Sequence, residues 1–156
     1  MRWFRERWDR AKATLRTALT SHLDPSGIFW GLFTGVFVGA TPFWGFHVIS
    51  GILAARLLKL NHALVLFGVG VSNPLFGPPL LAMEAALGSW FFGRGFQLPT
   101  VDFFGAWEPL LAQGGDLLVD LIVGSLLLGP VLGVIAGGAG VWLARRWRAR
   151  RGPEQP

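Results

Sequence analysis

The sequence predicts an all-α integral membrane protein. Its predicted parts are two helical segments broken at proline-glycine loops, at least one of them a re-entrant hairpin, one long C-terminal transmembrane helix and an N-terminal amphipathic interfacial helix. Three observations predict this. The chain of 156 residues is 52% hydrophobic and only 15% charged, whereas a soluble domain carries about 25% charged residues. Between Asp24 and Arg94 the only charged side chains are Arg56, Lys59 and Glu84, too few to solvate a surface. The prolines and glycines fall inside apolar runs, as they do in transmembrane helices.

Residues 1–24 form the first predicted unit. Over 2–23, Phe4, Trp8, Ala11, Leu15 and Leu19 recur every three or four residues, while Arg5, Asp9, Lys12 and Arg16 fall elsewhere. That pattern is an amphipathic helix, lying in the headgroup layer or packed on the protein's own cytoplasmic side. It lacks the uninterrupted apolar core of a signal peptide. Asp24-Pro25-Ser26 then ends one helix and starts another, with proline suited to a first turn and Asp or Ser to a cap.

The membrane domain spans 25–146. Its first segment, 27–58, would measure roughly 48 Å as one helix, against a hydrocarbon core of about 30 Å. Gly39-Ala40-Thr41-Pro42-Phe43-Trp44-Gly45 divides it into 28–40 and 44–58, since Thr41 precedes a proline and is pushed out of helical geometry. The second segment, 62–92, is broken in the same way at Ser72-Asn73-Pro74-Leu75-Phe76-Gly77-Pro78-Pro79. Thirty-two residues apart, Thr41-Pro42-Phe43-Trp44-Gly45 overlays Asn73-Pro74-Leu75-Phe76-Gly77. Segments interrupted at matching places point to an internal repeat of broken helices. Residues 93–116 are a glycine- and proline-punctuated acidic outer loop. The transmembrane helix runs over 117–144, with Pro130 inside it and Gly129, Gly133 and Gly137 forming a smooth packing face. A basic tail follows at 147–156.

Charge sets the predicted topology. Eleven of the fourteen Lys and Arg residues lie in the first 16 or last 12 positions, so both termini are expected in the cytoplasm. The first broken segment is then a hairpin returning Arg56 and Lys59 to the cytoplasm, the second crosses outward, and the last helix returns. In the competing arrangement both broken segments are hairpins and the termini lie on opposite sides. The same placement of charge explains the net +5 without nucleic acid.

The run Gly35-Val36-Phe37-Val38-Gly39-Ala40-Thr41-Pro42-Phe43-Trp44-Gly45-Phe46-His47, then Asn61, Ser72-Asn73-Pro74 and Gly88, resembles the bacterial membrane family named domain of unknown function 2062. Its pattern is a glycine-rich run into Pro-x-x-Gly-x-(Gln or His), an Asn after the first hairpin and a Ser-Asn-Pro motif in the second. The resemblance covers roughly 22–145 and implies the bacterial inner membrane. Some similar members are joined to a glycosyltransferase domain, and no such domain is expected in these 156 residues.

The candidate polar site comprises Thr41, Pro42, Gly45, His47, Arg56, Ser72, Asn73, Pro74, Gly77 and Glu84. Free amides at the half-helix starts after Pro42 and Pro74 would make a positive site for phosphate or carboxylate, with Thr41 and Asn73 placed as caps. Alternatively the two loops satisfy each other in a dry core. Glu84 is an intramembrane carboxylate and a functional candidate on that ground. His47 and Arg56 are its candidate partners, either in a relay or in a structural pair locking the hairpins together. No metal site or cofactor is predicted: there is no cysteine, and His22, His47 and His62 lack ligand spacing. Enzyme signatures are absent, so no catalysis is expected. Two functions fit. One is transport or lipid handling between the broken helices, by a homo-oligomer whose contact is the glycine face. The other is a non-catalytic membrane module partnering a glycosyltransferase or other envelope-building enzyme. The lipid bilayer is the expected partner in both.

Overall fold

A computed structural model describes residues 24–43, 45–70, 76–95 and 114–150. Among them are five α-helices and no strand: α1 (Pro25–Gly39), α2 (His47–Leu57), α3 (His62–Val69), α4 (Gly77–Phe91) and α5 (Gly114–Ala149). The predicted helix at 2–23, most of the outer loop (96–113) and the end of the tail (151–156) lie outside the described residues, as do Trp44, Ser72, Asn73 and Pro74.

Each boundary has a local cause. Pro25 opens α1 at its first turn, where a missing N–H costs nothing. Asp24 makes no side-chain cap there; its carbonyl accepts from Ile28 N–H at 3.1 Å instead. Asn61 does cap α3, its Oδ1 accepting from Ala63 N–H at 2.9 Å and Leu64 N–H at 3.2 Å. Asn61→Ala is expected to cost about 1 kcal/mol, read as a fall in the thermal midpoint of the detergent-solubilised protein. The last helix is longer than the predicted 117–144. It starts inside the predicted loop and ends inside the predicted tail, with Asp116 in its first turn and Arg146 and Arg148 in its last. Both placements complement the helix dipole.

Close glycine contacts fix the helix directions. Gly31 meets Leu64, Gly35 meets Val65 and Gly68, and Gly39 meets Val69, so α1 and α3 run parallel. Their backbones nearly touch at Gly35 and Gly68, where a Cβ on Gly68 would lie 2.9 Å from Gly35 Cα. α2 folds back along α3 through the short turn at 58–61, placing Gly51 against Val69 and Val65. Hence α1 and α2 are antiparallel arms of a helical hairpin.

α5 runs against both α1 and α4. Gly129, Gly133 and Gly137 sit under Phe37, Phe33 and Phe29 in turn; a Cβ there would come within 3.0, 2.8 and 2.7 Å of the rings. The three phenylalanines stack along α1 at 6.2 and 6.0 Å between centroids. Farther toward the start of α5, Gly124 packs on the backbone of Glu84, and Gly88 of α4 packs on the backbone of Asp120. α4 and α1 therefore follow one another along α5, both antiparallel to it. So α3 and α4 point the same way on either side of the second break.

The helices that flank the two breaks are arranged differently. After the first break the chain reverses, and Gly45 takes a left-handed φ of 83° to do so. After the second break it keeps its direction, and Gly77 is simply the first residue of α4. The overlay of the two loops gives an internal repeat no structural support. The glycine stripe of α5 is covered by α1 of the same chain, so it is not a free face for contact between copies.

The directions also sort the charges. Arg56 and Lys59 at the α2–α3 turn lie at the end where α1 starts and α5 finishes with Arg145, Arg146, Arg148 and Arg150. Arg94, Asp116 and Asp120 lie together at the opposite end. Among the described residues, Glu84 is the one charged side chain between them.

Candidate functional site

The first break is satisfied from within. Pro42 stops α1, and Thr41 Oγ1 donates to the Val38 carbonyl at 2.7 Å. His47, buried at the start of α2, brings Nε2 to 2.7 Å from the Thr41 carbonyl. Thr41 Oγ1 thus stands in for the N–H that Pro42 lacks, and the ring serves the Thr41 carbonyl, which in an unbroken helix would accept from Gly45 N–H. Interrupted helices re-satisfy freed backbone groups in this way. Gly45 supplies the turn that aims His47 back at Thr41. Arg56 is exposed, in the last turn of α2 and far along the chain from that tip.

At the second break the start of α4 differs from expectation. Gly77 is followed by Pro78 and Pro79, which have no N–H, and Leu80 N–H is already bonded to the Phe76 carbonyl at 3.1 Å. A first turn with one remaining amide offers little of itself to a phosphate or carboxylate; Ser72, Asn73 and Pro74, the rest of the site expected there, lie outside the described residues. Gly77 is half-buried.

Glu84 lies on the face of α4 that packs on α5 and is 0% exposed. Neither carboxyl oxygen has a hydrogen-bond partner among the described residues. The expected pairing with His47 or Arg56 does not occur. His47 is committed to Thr41, and α2 packs on α1 and α3. Between the same two helices Leu81, Ala85, Leu117 and Leu121 form an apolar cluster, and the buried Ser125 of α5 spends its hydroxyl on the Ile122 carbonyl at 2.9 Å.

Toward the start of α5, Asp120 (one turn before Gly124) is hydrogen-bonded by Arg94, which also lies 3.7 Å from Asp116. This clasp ties the end of α4 to the start of α5. Sequence reasoning passed over it, although Asp116 and Asp120 are spaced one turn apart near the outer loop's lone base. It also passed over the reciprocal interlock, in which Glu84 and Gly88 of α4 face Gly124 and Asp120 of α5. The signal was legible as an acid followed four residues later by glycine in both helices.

The glycine-rich run, the Pro-x-x-Gly-x-His turn and the capping Asn61 thus form one working frame over residues 35–61. The model of a family described as "Uncharacterized protein conserved in bacteria (DUF2062)" matches residues 9–152. The chain belongs to this family. No curated protein and no solved structure matches it. In this DUF2062 member the Pro-x-x-Gly-x-His motif is a structural device: proline breaks, glycine reverses, and histidine returns a donor to the broken helix. A glutamine at that last position would offer the same N–H. His47→Gln is therefore expected to keep the thermal midpoint near that of the unaltered protein. His47→Leu should cost about 1–3 kcal/mol by stranding the Thr41 carbonyl, and paired melting curves check both. Among the described residues no group of three His, Asp or Glu side chains could hold a metal ion.

Proposed function

We propose that this DUF2062 protein is a multi-pass protein of the bacterial inner membrane that moves or handles an amine-bearing lipid or solute at Glu84. Its outer surface supports the membrane placement. Among the described residues, 24 large apolar side chains are exposed and only nine larger than alanine are buried, while Thr34, His47, Glu84, Ser89, Asp120 and Ser125 are inside. Water-soluble proteins rarely leave such a surface uncovered. α5 is long and apolar enough to cross a membrane; its stretch between Asp120 and Arg145 measures about 36 Å. The hairpin arms, about 22 and 16 Å long, are too short to cross and suit a re-entrant element. The second broken segment, with α3 and α4 aligned, suits an outward crossing. The basic end then faces the cytoplasm. Reporter fusions test this: Asn61 should report inside and Gly105 outside, and the opposite result at either site removes the topology.

Glu84 carries the functional reading. A buried carboxyl without a partner is costly in an apolar zone, and no basic side chain lies at its depth among the described residues to justify it. The group that completes it is one that donates: a proton or an ammonium. That turns the expected substrate from an anion toward an amine. In proteoliposomes, phosphatidylethanolamine from the inner leaflet should become reactive to an impermeant amine reagent faster with the protein than without it. Equal rates remove the reading.

A further inference from the structure

The geometry points to a second site, at the basic end of the bundle, that binds the phosphate of an anionic lipid head group through Lys59 and Arg56 of the α2–α3 turn and Arg145 and Arg146 of α5. This inference rests on the membrane placement proposed above and is independent of transport at Glu84.

The first observation is a residue in an unfavourable place. α2 ends in a Schellman turn: Leu60 N–H bonds the Ala55 carbonyl at 2.8 Å and Lys59 N–H the Arg56 carbonyl at 3.3 Å. Such a turn places its pivot residue in the left-handed region, where glycine is the usual choice. Here the pivot is Lys59, with φ 53°. α4 ends in the same turn, with Arg94 N–H on the Ser89 carbonyl and Gly93 N–H on the Trp90 carbonyl, both at 2.9 Å. There the pivot is Gly93, with φ 71°. The fold thus uses glycine where only the turn matters and carries a strained lysine at the basic end. A strained residue held in place is a reason to look for a use of its side chain.

The second observation is what surrounds that lysine. Ala63, at the start of α3, and Trp147 of α5 pack on one cluster of Ile28, Leu32, Leu64 and Ala144. The α2–α3 turn and the last turns of α5 are therefore neighbours. Arg56, Lys59, Arg145 and Arg146 are all exposed there, and Asp24 is the one acid at that end among the described residues. Arg146 lies over the exposed ring of Trp142 at 5.0 Å, a pairing of the kind found at the headgroup level. Phosphate matches this set because arginine binds it bidentately and lysine as a point charge. The cytoplasmic leaflet is the anionic one, and each base near it contributes about fivefold in affinity.

The full chain in mixed bilayers tests the site, with tryptophan quenching by acyl-brominated phosphatidylglycerol compared with acyl-brominated phosphatidylcholine. The unaltered protein should prefer phosphatidylglycerol. Lys59→Gly should reduce that preference about fivefold while melting no lower than the unaltered protein, because glycine relieves the turn. Lys59→Arg should keep the preference, and Arg56→Gln added to Lys59→Gly should lower it further. No preference in the unaltered protein, or full preference in Lys59→Gly, overturns the site alone. A Lys59→Gly protein that melts lower also overturns it, since the lysine would then be holding the fold. Failure of the chain to enter either bilayer overturns the membrane placement and this site with it.

Discussion

Gly124→Val is expected to separate α4 from α5 and leave little protein that survives detergent extraction as a folded species. Any Cβ at position 124 would run into the Glu84 backbone, and any Cβ at Gly88 into the Asp120 backbone. A flexible side chain can step aside from an intruding methyl; a helix backbone cannot without moving the helix. The cost should therefore exceed the ~1–3 kcal/mol of ordinary overpacking. Gly138→Ala is the control. That glycine is exposed on the same helix, and an alanine methyl there would meet nothing within 4 Å, so the substitution should gain roughly 0.5–1 kcal/mol through backbone entropy. Size-exclusion profiles and melting curves of the two variants check the contrast. If Gly124→Val behaved like Gly138→Ala, the antiparallel register of α4 on α5 would be wrong, and with it the assignment of α3 and α4 as one broken crossing.

How much of this was legible depends on how local each cause is. The breaks within 39–45 and 72–79 were readable because proline chemistry acts within a turn or so of the chain. The Asn61 cap and the Thr41–His47 contact are equally short in reach, six residues at most, although the sequence reading set His47 against Glu84 instead. What could not be read was direction. A proline loop stops a helix whether the chain then reverses or continues, and the contacts of Gly51 with Val69 and of Gly88 with Asp120, far apart in sequence, separate the two cases. Ownership of the α5 glycine face was illegible for a similar reason. A smooth face says that something packs closely, and the stacked Phe29, Phe33 and Phe37 of the same chain are one answer that spacing alone does not distinguish from a second copy. Glu84 shows the limit most clearly. Its separation from Arg56 and His47 follows from α2 packing on α1 and α3, a register that no local pattern encodes.

Glu84→Met is expected to raise the thermal midpoint and abolish the amine-lipid movement proposed for this protein. The two effects share one cause. The carboxyl is fully enclosed between α4 and α5 with both oxygens unbonded among the described residues, and burying such a group costs about 1–3 kcal/mol as judged from mutational data. Methionine fills a comparable volume without the polar atoms and adapts to irregular space, so that cost should return as stability. Glu84→Gln separates polarity from acidity. The amide stays enclosed and unsatisfied, so its midpoint should remain near the unaltered value, yet it cannot exchange a proton or hold an ammonium by charge, and movement should stop. A carboxyl kept only for packing would give the reverse pattern, with both variants active and Glu84→Met no more stable. Stability gained where activity is lost is what distinguishes a site maintained against folding from one maintained by it.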